Sequence, residues 1–231
     1  MKTDVPLPAP RDVLPMESPR STAETVATYI RSLIFRGHLK QGDRLRQDEL
    51  AETLKVSRIP VREAIIALDK EGWVTSEPHR GAFVNGFKKA DVEDQYTLLG
   101  TLYGLAAKRA CERASEDDIA KLRSLQNELR LVEEPVDVRR LNDQVLRTIF
   151  KLADSPRLSA VSKLMTGLVP GNFFAHVPGA IADQKRAIAR IVKTIAAGDS
   201  DGAAAEWAKL LKKHSEHVVT LLQERELLAD N

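Results

Sequence analysis

The sequence predicts a mainly α-helical protein in two parts: a short helical unit closed by a β-hairpin, then an antiparallel bundle of helices. Three observations predict it. Apolar residues recur at helical spacing through most of the chain. The β-favouring runs Trp73-Val74-Thr75-Ser76 and Ala82-Phe83-Val84 flank Glu77-Pro78-His79-Arg80-Gly81, the pattern of one hairpin with a charged tip. From Ala90 onward β signals disappear. With 231 residues, 43% hydrophobic and 29% charged, the chain has the balance of a soluble globular protein with room for one large or two modest domains.

Five of the 11 prolines, Pro6, Pro8, Pro10, Pro15 and Pro19, precede Arg20. No helical or strand period survives there, and residues 1–20 read as a flexible Pro-rich arm. A helix starts after Ser21, which forms a capping pattern with Glu24, and Val26, Tyr29, Ile30, Leu33 and Ile34 share its inner face. Gly37 ends it. A second helix runs from about Gln47 to Leu54, burying Leu50 and Leu54. Lys55-Val56-Ser57 is a tight connection to a third helix, with Ser57 as its N-cap and Pro60 tolerated because first-turn amides have no intrahelical partner. Val61, Ala64, Ile65 and Leu68 form its inner face, and Gly72 stops it. Helix, helix, turn, helix, hairpin over residues 21–87 is a winged helix-turn-helix. Helical periods then cover about 90–113, 116–132, 136–153, 157–168, 180–197 and 201–227. Breaks fall at Ser115, Pro135, Pro156, Val169-Pro170-Gly171, Pro178-Gly179 and Gly198-Asp199. Six helices with short loops make residues 88–231 an all-α antiparallel bundle. Gly86 to Asp91 is the expected hinge.

Composition excludes several classes. Apolar stretches such as Ala64 to Leu68 fall far short of the roughly 18 to 20 residues of a membrane span. The N-terminal residues carry no apolar signal core. The single cysteine, Cys111, rules out an internal disulfide framework and fits a cytoplasmic location; among Ala107, Ala110 and Ala114 it reads as core rather than nucleophile. The net charge of +2 says nothing by itself. Its distribution says more: residues 20–89 hold 13 Lys/Arg against 9 Asp/Glu, a net of +4, and the rest is near neutral.

On the third helix Arg58 and Arg62 stand four residues apart and so share a face, opposite Val61, Ile65 and Leu68. In the first turns their guanidinium groups add to the positive helix end, which suits phosphate, and a planar fork also fits guanine O6 and N7 in the major groove. Arg46 before the second helix and His79-Arg80 at the wing tip extend the positive stripe toward flanking backbone and minor groove. Taken alone, two exposed arginines read better as a solvated surface paired with Glu63 or Asp69.

The full string decides. Val56-Ser57-Arg58-Ile59-Pro60-Val61-Arg62-Glu63-Ala64-Ile65, then Leu68, Glu71-Gly72-Trp73-Val74 and Arg80-Gly81-Ala82-Phe83-Val84, closely resembles the GntR family of bacterial winged-helix repressors over about Thr22 to Phe87. The resemblance implies DNA contact by Arg46, Arg58, Arg62, His79 and Gly81, with Ser57, Ile59, Pro60 and Arg80 beside them. Ile59 stands where the family usually has Thr, and Lys55 where the turn usually has Gly.

The helical remainder resembles the FCD effector domain of the FadR-like branch of that family. That resemblance rests on helix order and on Asn142-Asp143-Gln144-Val145-Leu146-Arg147, Leu152-Ala153-Asp154-Ser155-Pro156-Arg157-Leu158 and Ile195-Ala196-Ala197-Gly198-Asp199. It implies a bundle that binds small organic acids, often with a divalent metal held by an Asp and three His. Here the Asp is Asp143, but Arg147 and Ile188 occupy two of the His positions, and the third falls on Leu210 or, with one extra turn, His214. One carboxylate and at most one imidazole make a poor metal site, so neither metal nor other cofactor is expected. Two further family positions on the first bundle helix are Leu99 and Tyr103, a less polar pocket than usual.

Asp143 and Arg147 read either as a surface i,i+4 pair or as a pocket pair in which Arg147 grips a ligand carboxylate. His176 lies in a loop that caps the pocket or simply packs. His214-Ser215-Glu216-His217, beside Lys212 and Lys213, reads as a solvated helix face. The expected function is a ligand-responsive transcriptional repressor that binds a pseudo-palindromic operator in double-stranded DNA as a homodimer and responds to a small organic acid, with no membrane partner. The alternative is a small-molecule-binding or metal-dependent enzyme built on the helical half, for which no triad, phosphate loop or complete metal set appears.

Overall fold

The computed structural model describes residues 7–10, 21–165 and 168–228. Most of the expected arm, 1–6 and 11–20, and the end of the helix expected to reach 168, at 166–167, therefore lie outside the described residues. Two compact units are present. The first comprises the described residues up to Lys88 with Val169–Gly171 and 222–228; the second comprises Lys89–Leu168 and Asn172–Leu221.

In the first unit α1 spans Thr22–Phe35, α2 Gln47–Leu54 and α3 Arg58–Lys70. Ser21 caps α1, its hydroxyl accepting from the Glu24 amide. Val26, Tyr29, Ile30 and Leu33 of α1 are buried with Val61, Ala64, Ile65 and Leu68 of α3, at helical spacing on each. From α2, Leu50 and Ala51 join this core while Leu54 is only half-buried. The buried Arg31 fixes α1 to the end of α3. Its guanidinium donates to Glu71 from Nε at 3.0 Å and from Nη2 at 2.8 and 2.9 Å, and to Glu24 from Nη1 at 3.1 Å. Tyr29 donates to the Pro8 carbonyl; burial first, and the Glu49 charge second, push its phenol up to about 12.

The turn between α2 and α3 runs through Lys55 at φ 55°, a left-handed conformation strained for a side chain other than glycine. Ser57 is the α3 N-cap residue, but its hydroxyl makes no cap hydrogen bond. An N-cap oxygen accepts from the second or third helical amide; here the third helical residue is Pro60, which has no N–H to give.

The wing is the antiparallel pair β1 (Val74–Glu77) and β2 (Gly81–Val84), in register Val74 to Val84 and Glu77 to Gly81. Residues 42–45 lie along its other edge, the Leu45 amide donating to Ala82 O at 2.8 Å and the Val84 amide to Asp43 O at 2.9 Å. Asp69 of α3 accepts from the Ser76 amide, and Trp73 meets Phe87 edge to face at 5.3 Å. These bonds set the wing against the third helix.

The second unit holds α4 (Lys89–Arg113), α5 (Glu116–Leu131), α6 (Pro135–Ala153), α7 (Pro156–Leu164), the one-turn α8 (Phe173–His176), α9 (Ala180–Ala196) and most of α10 (Ser200–Glu224). It is all-helical, and α8 falls where a loop was expected. Pro135 and Pro156 open α6 and α7 as first-turn residues, and Ser115 and Asp118 form a complete capping box on α5. The core is apolar: Leu122, Leu129, Val138, Leu141, Val145, Ile149, Ile188, Ile191 and Trp207 are all buried. Helices α4 and α10 approach closely because α4 carries glycine at the crossing. A Cβ on Gly104 would stand 3.2 Å from Ala204, and one on Gly100 3.3 Å from Ala208.

Candidate functional site

The first unit presents its cations outward. At 100° per residue the buried Val61, Ala64, Ile65 and Leu68 occupy one side of α3, Ile59 points directly away from it, and Arg58 and Arg62 project from the flank between them. The Arg58 side chain is 72% exposed and Ile59 69% exposed; Arg62 and Ser57 are exposed and Pro60 half-buried. Arg58 Nε forms an ion pair with the Asp48 carboxylate of α2 at 2.7 Å, leaving its two terminal nitrogens for another acceptor. Arg46 is exposed at the N-terminus of α2.

At the wing tip His79 and Arg80 are exposed, His79 at φ 61°. Arg80 pairs with Glu77 and lies over the Phe83 ring at 5.6 Å. Gly81 has φ 106°, and a Cβ there would come within 2.9 Å of Arg44 Nε, so glycine serves both backbone and packing. A groove of about 340 Å³ between α3 and the wing is lined by Gln47, Arg62, Ile66, Ser76, His79 and Gly81 among others. The structure thus gathers Arg58, Ile59, Arg62, His79, Arg80 and Gly81 on one module and adds Arg44, Gln47 and Asp48, which sequence reasoning missed. The close approach of Arg44 to Gly81 depends on the pairing of 42–45 with β2, which carries no local sequence signal.

The expected effector residues fall into three environments. Asp143 is half-buried and its carboxylate lies 4.0 Å from Arg139, one turn earlier, while Arg147 is exposed. The expected Asp143–Arg147 pairing gives way to Arg139–Asp143, the neighbour one turn earlier on the same helix. Ile188 and Leu99 are buried apolar core, at 0% and 8% exposure. Tyr103 and His214 belong to a cluster of rings inside the bundle. Tyr103 meets Phe150 at 5.6 Å and Trp207 at 5.1 Å, both edge to face. Phe173 of α8 meets Tyr96 at 6.5 Å and His214 at 4.8 Å. His176, on the same short helix, is half-buried.

The expected solvated face at His214-Ser215-Glu216-His217 is overturned for three of its four residues. His214 and Ser215 are buried, and His217 hydrogen-bonds through Nε2 to Asp183 of α9 at 2.8 Å. Asp183 is 7% exposed and also takes Lys213 at 3.2 Å and Arg186. Burial pushes its carboxyl up, but the hydrogen bonds from His217, Arg186 and Lys213 outweigh it and hold the pKa well below the usual carboxylate range. Burial first, then the neighbouring His217, push His214 down to about 4 against the opposing Asp183 charge and an Ala180 backbone hydrogen bond. Its imidazole is neutral at physiological pH. Among the described residues His214 Nε2, Trp207 Nε1 and Ser215 Oγ are buried without a hydrogen-bond partner.

Metal ligation does not fit this interior. Ile188, at one of the family's ligand positions, is buried hydrocarbon, as is Leu210, which shares the third position with His214 as its alternative. Arg147, at the remaining position, is exposed and offers no ligand. Among the described residues no three His, Cys, Asp or Glu side chains are grouped to hold a metal ion, and no helix is long and apolar enough to cross a membrane.

A winged helix-turn-helix with cations on its third helix, joined in one chain to an all-helical unit, defines a DNA-binding transcriptional regulator. The profile for bacterial regulatory proteins of the gntR family matches residues 22–84, and that of the FCD domain matches 94–213. The chain belongs to the GntR family and carries an FCD effector-binding domain. It is 31% identical over 151 residues to an HTH-type transcriptional regulator of Mycobacterium tuberculosis, a match covering 65% of this chain and 62% of that protein. It is 28% identical over 163 residues to the Nta operon transcriptional regulator of Aminobacter aminovorans, covering 64% of this chain and 78% of that one. With the HTH-type transcriptional repressor RspR of Escherichia coli it shares 28% over 116 residues, 49% of this chain and 51% of the relative. In fold it is similar to Escherichia coli McbR/YncC, with a TM-score of 0.57 and 22% identity over 89% of this chain and 99% of that one.

Proposed function

We propose that the chain is a ligand-responsive repressor that binds a pseudo-palindromic operator as a homodimer, with Arg58 and Arg62 as its principal DNA contacts. The observation that carries this reading is the pair of exposed guanidinium groups on α3, about 40° apart around the helix and outside its buried side. Arg46, His79 and Arg80 supply flanking backbone contacts, Ser57 and Pro60 fix the helix start, and Gly81 lets the wing approach the minor groove. A pair of such modules reads successive major grooves about one helical turn apart, which makes a two-fold symmetric protein select a two-fold symmetric site. Repression is supported by the relative that bears the name of a repressor.

The effector is a small organic acid held in the ring cluster of the second unit. Support comes from the unpaired Trp207 Nε1 and His214 Nε2, since a carboxylic acid would supply the acceptor that a buried indole N–H otherwise lacks at a penalty of about 1–3 kcal/mol. It acts through differential affinity for the DNA-competent and incompetent states.

The experiment is fluorescence anisotropy on operator duplex selected by the wild-type protein. Arg58→Ala/Arg62→Ala is expected to lower affinity at least about 100-fold and flatten the salt dependence by about two counterions per module, with unchanged circular dichroism. Wild-type affinity in a folded double variant defeats the reading.

A further inference from the structure

Two large apolar side chains on α3 stay outside the core: Ile59 is 69% exposed and Ile66 54% exposed. Ile66 lines the groove beside the wing. Ile59 is different, because it sits in the first helical turn between Arg58 and Arg62, the part of a recognition helix that enters the major groove. Helical geometry puts it about 60° around from Arg62, on the same outward side. Its cationic neighbours select an anionic partner, so a purely apolar partner surface, which would strip water from both guanidinium groups, is disfavoured. On the floor of the major groove the matching apolar group is the 5-methyl of thymine.

Ile59 is also held ready. Pro60 fixes the backbone that follows it, and a β-branched side chain in a helix has essentially one χ1 state, so little freedom is lost on contact. We propose that Ile59 is a specificity-determining residue that reads a thymine methyl in each half-site; the inference rests on the DNA-binding reading above. A threonine at this position would offer a hydroxyl for phosphate or base edges, whereas isoleucine exchanges that hydrogen bond for methyl recognition.

The full-length protein is used to select duplexes from a random pool, and each thymine of the selected site is then replaced singly by deoxyuridine, which removes only the methyl. One thymine per half-site is expected to matter, its replacement weakening the wild-type protein roughly fourfold, the equivalent of one buried methyl. In Ile59→Ser the same replacement is expected to change nothing, and in Ile59→Val, which retains branched methyls, the penalty returns in part. Equal uracil penalties in the wild type and Ile59→Ser, or no thymine that responds at all, overturn the proposal. A folded protein that enriches no duplex overturns the DNA-binding reading as well, so the two failures are distinct. Folding is checked by melting temperature, with Ile59→Val as the second variant should serine disturb the helix start.

Discussion

Asp48 and Asp183 each form an ion pair with arginine, in opposite surroundings. In the first unit Asp48 and Arg58 are both 72% exposed and meet through one contact of 2.7 Å. In the second unit Asp183 is 7% exposed and is held by His217, Arg186 and Lys213 together. An exposed pair contributes about 0–1 kcal/mol and is readily exchanged for another partner, whereas a buried carboxylate with several donors is costly to disturb. The same chemistry therefore serves as a contact available for exchange on the recognition face and as a lock between α9 and α10 in the bundle. The contrast is one of these two sites: Arg58 and Arg62 stand exposed in the first unit, as Arg31 does not, while Asp183 and His214 are turned inward in the second.

The largest effect should come from breaking the lock. Asp183→Asn removes the charge that three donors share, and we expect the protein to lose about 2–4 kcal/mol, read as a melting temperature lower by roughly 5–12 °C. Because folding depresses the Asp183 pKa, its stabilisation is complete above the unfolded value of about 4 and is lost as pH falls through the folded one; Asp183→Asn should therefore flatten the stability profile only in strong acid. An unchanged melting temperature at neutral pH would reduce Asp183 to the status of Asp48.

His214 should act in a different window. Its folded pKa of about 4 lies below its ordinary 6.5, so the stability it contributes is whole above about pH 6.5 and disappears as pH falls toward 4. The integrated loss is on the order of 3 kcal/mol. Calorimetric melts from pH 7 to 4 should show this slope in the wild type and a shallower one in His214→Phe. Equal slopes would mean that the imidazole is hydrated and titrates freely.

The contrast between units also explains what was legible in the sequence. The exposed cations of α3 and the wing were readable because they lie within one helix and one hairpin, where spacing fixes direction: Arg58 and Arg62 had to share a face, and Gly81 had to mark a turn. The expected Ser57 cap bond is not made, because Pro60 three residues later has no N–H to donate. Asp183 was not legible. It is an ordinary acidic residue near the start of α9, and only the packing of α10, with Lys213 and His217 arriving 30 and 34 residues later, buries it. The Lys212-Lys213 pair made His214 and Ser215 look solvated, yet they fall on the inward side of the same helix. Interior chemistry depends on which helices pack together, and hydrophobic period alone does not record that.

The smallest effect tests the exposed half of the comparison. Asp48→Asn removes one negative charge from the recognition face and releases Arg58 Nε without touching the core. Stability should change by less than about 0.5 kcal/mol, as for an exposed ion pair. Binding to random-sequence duplex should rise about threefold at low ionic strength, because a carboxylate no longer faces the phosphates and a guanidinium no longer has to exchange partners. The gain should shrink as added salt shortens the screening length. On the selected operator the gain should be smaller still, since Arg58 loses the support that aims its terminal nitrogens at a base edge. A melting temperature several degrees lower, or weaker binding to random duplex, would show that Asp48 is a structural lock like Asp183 and would erase the distinction between the two units.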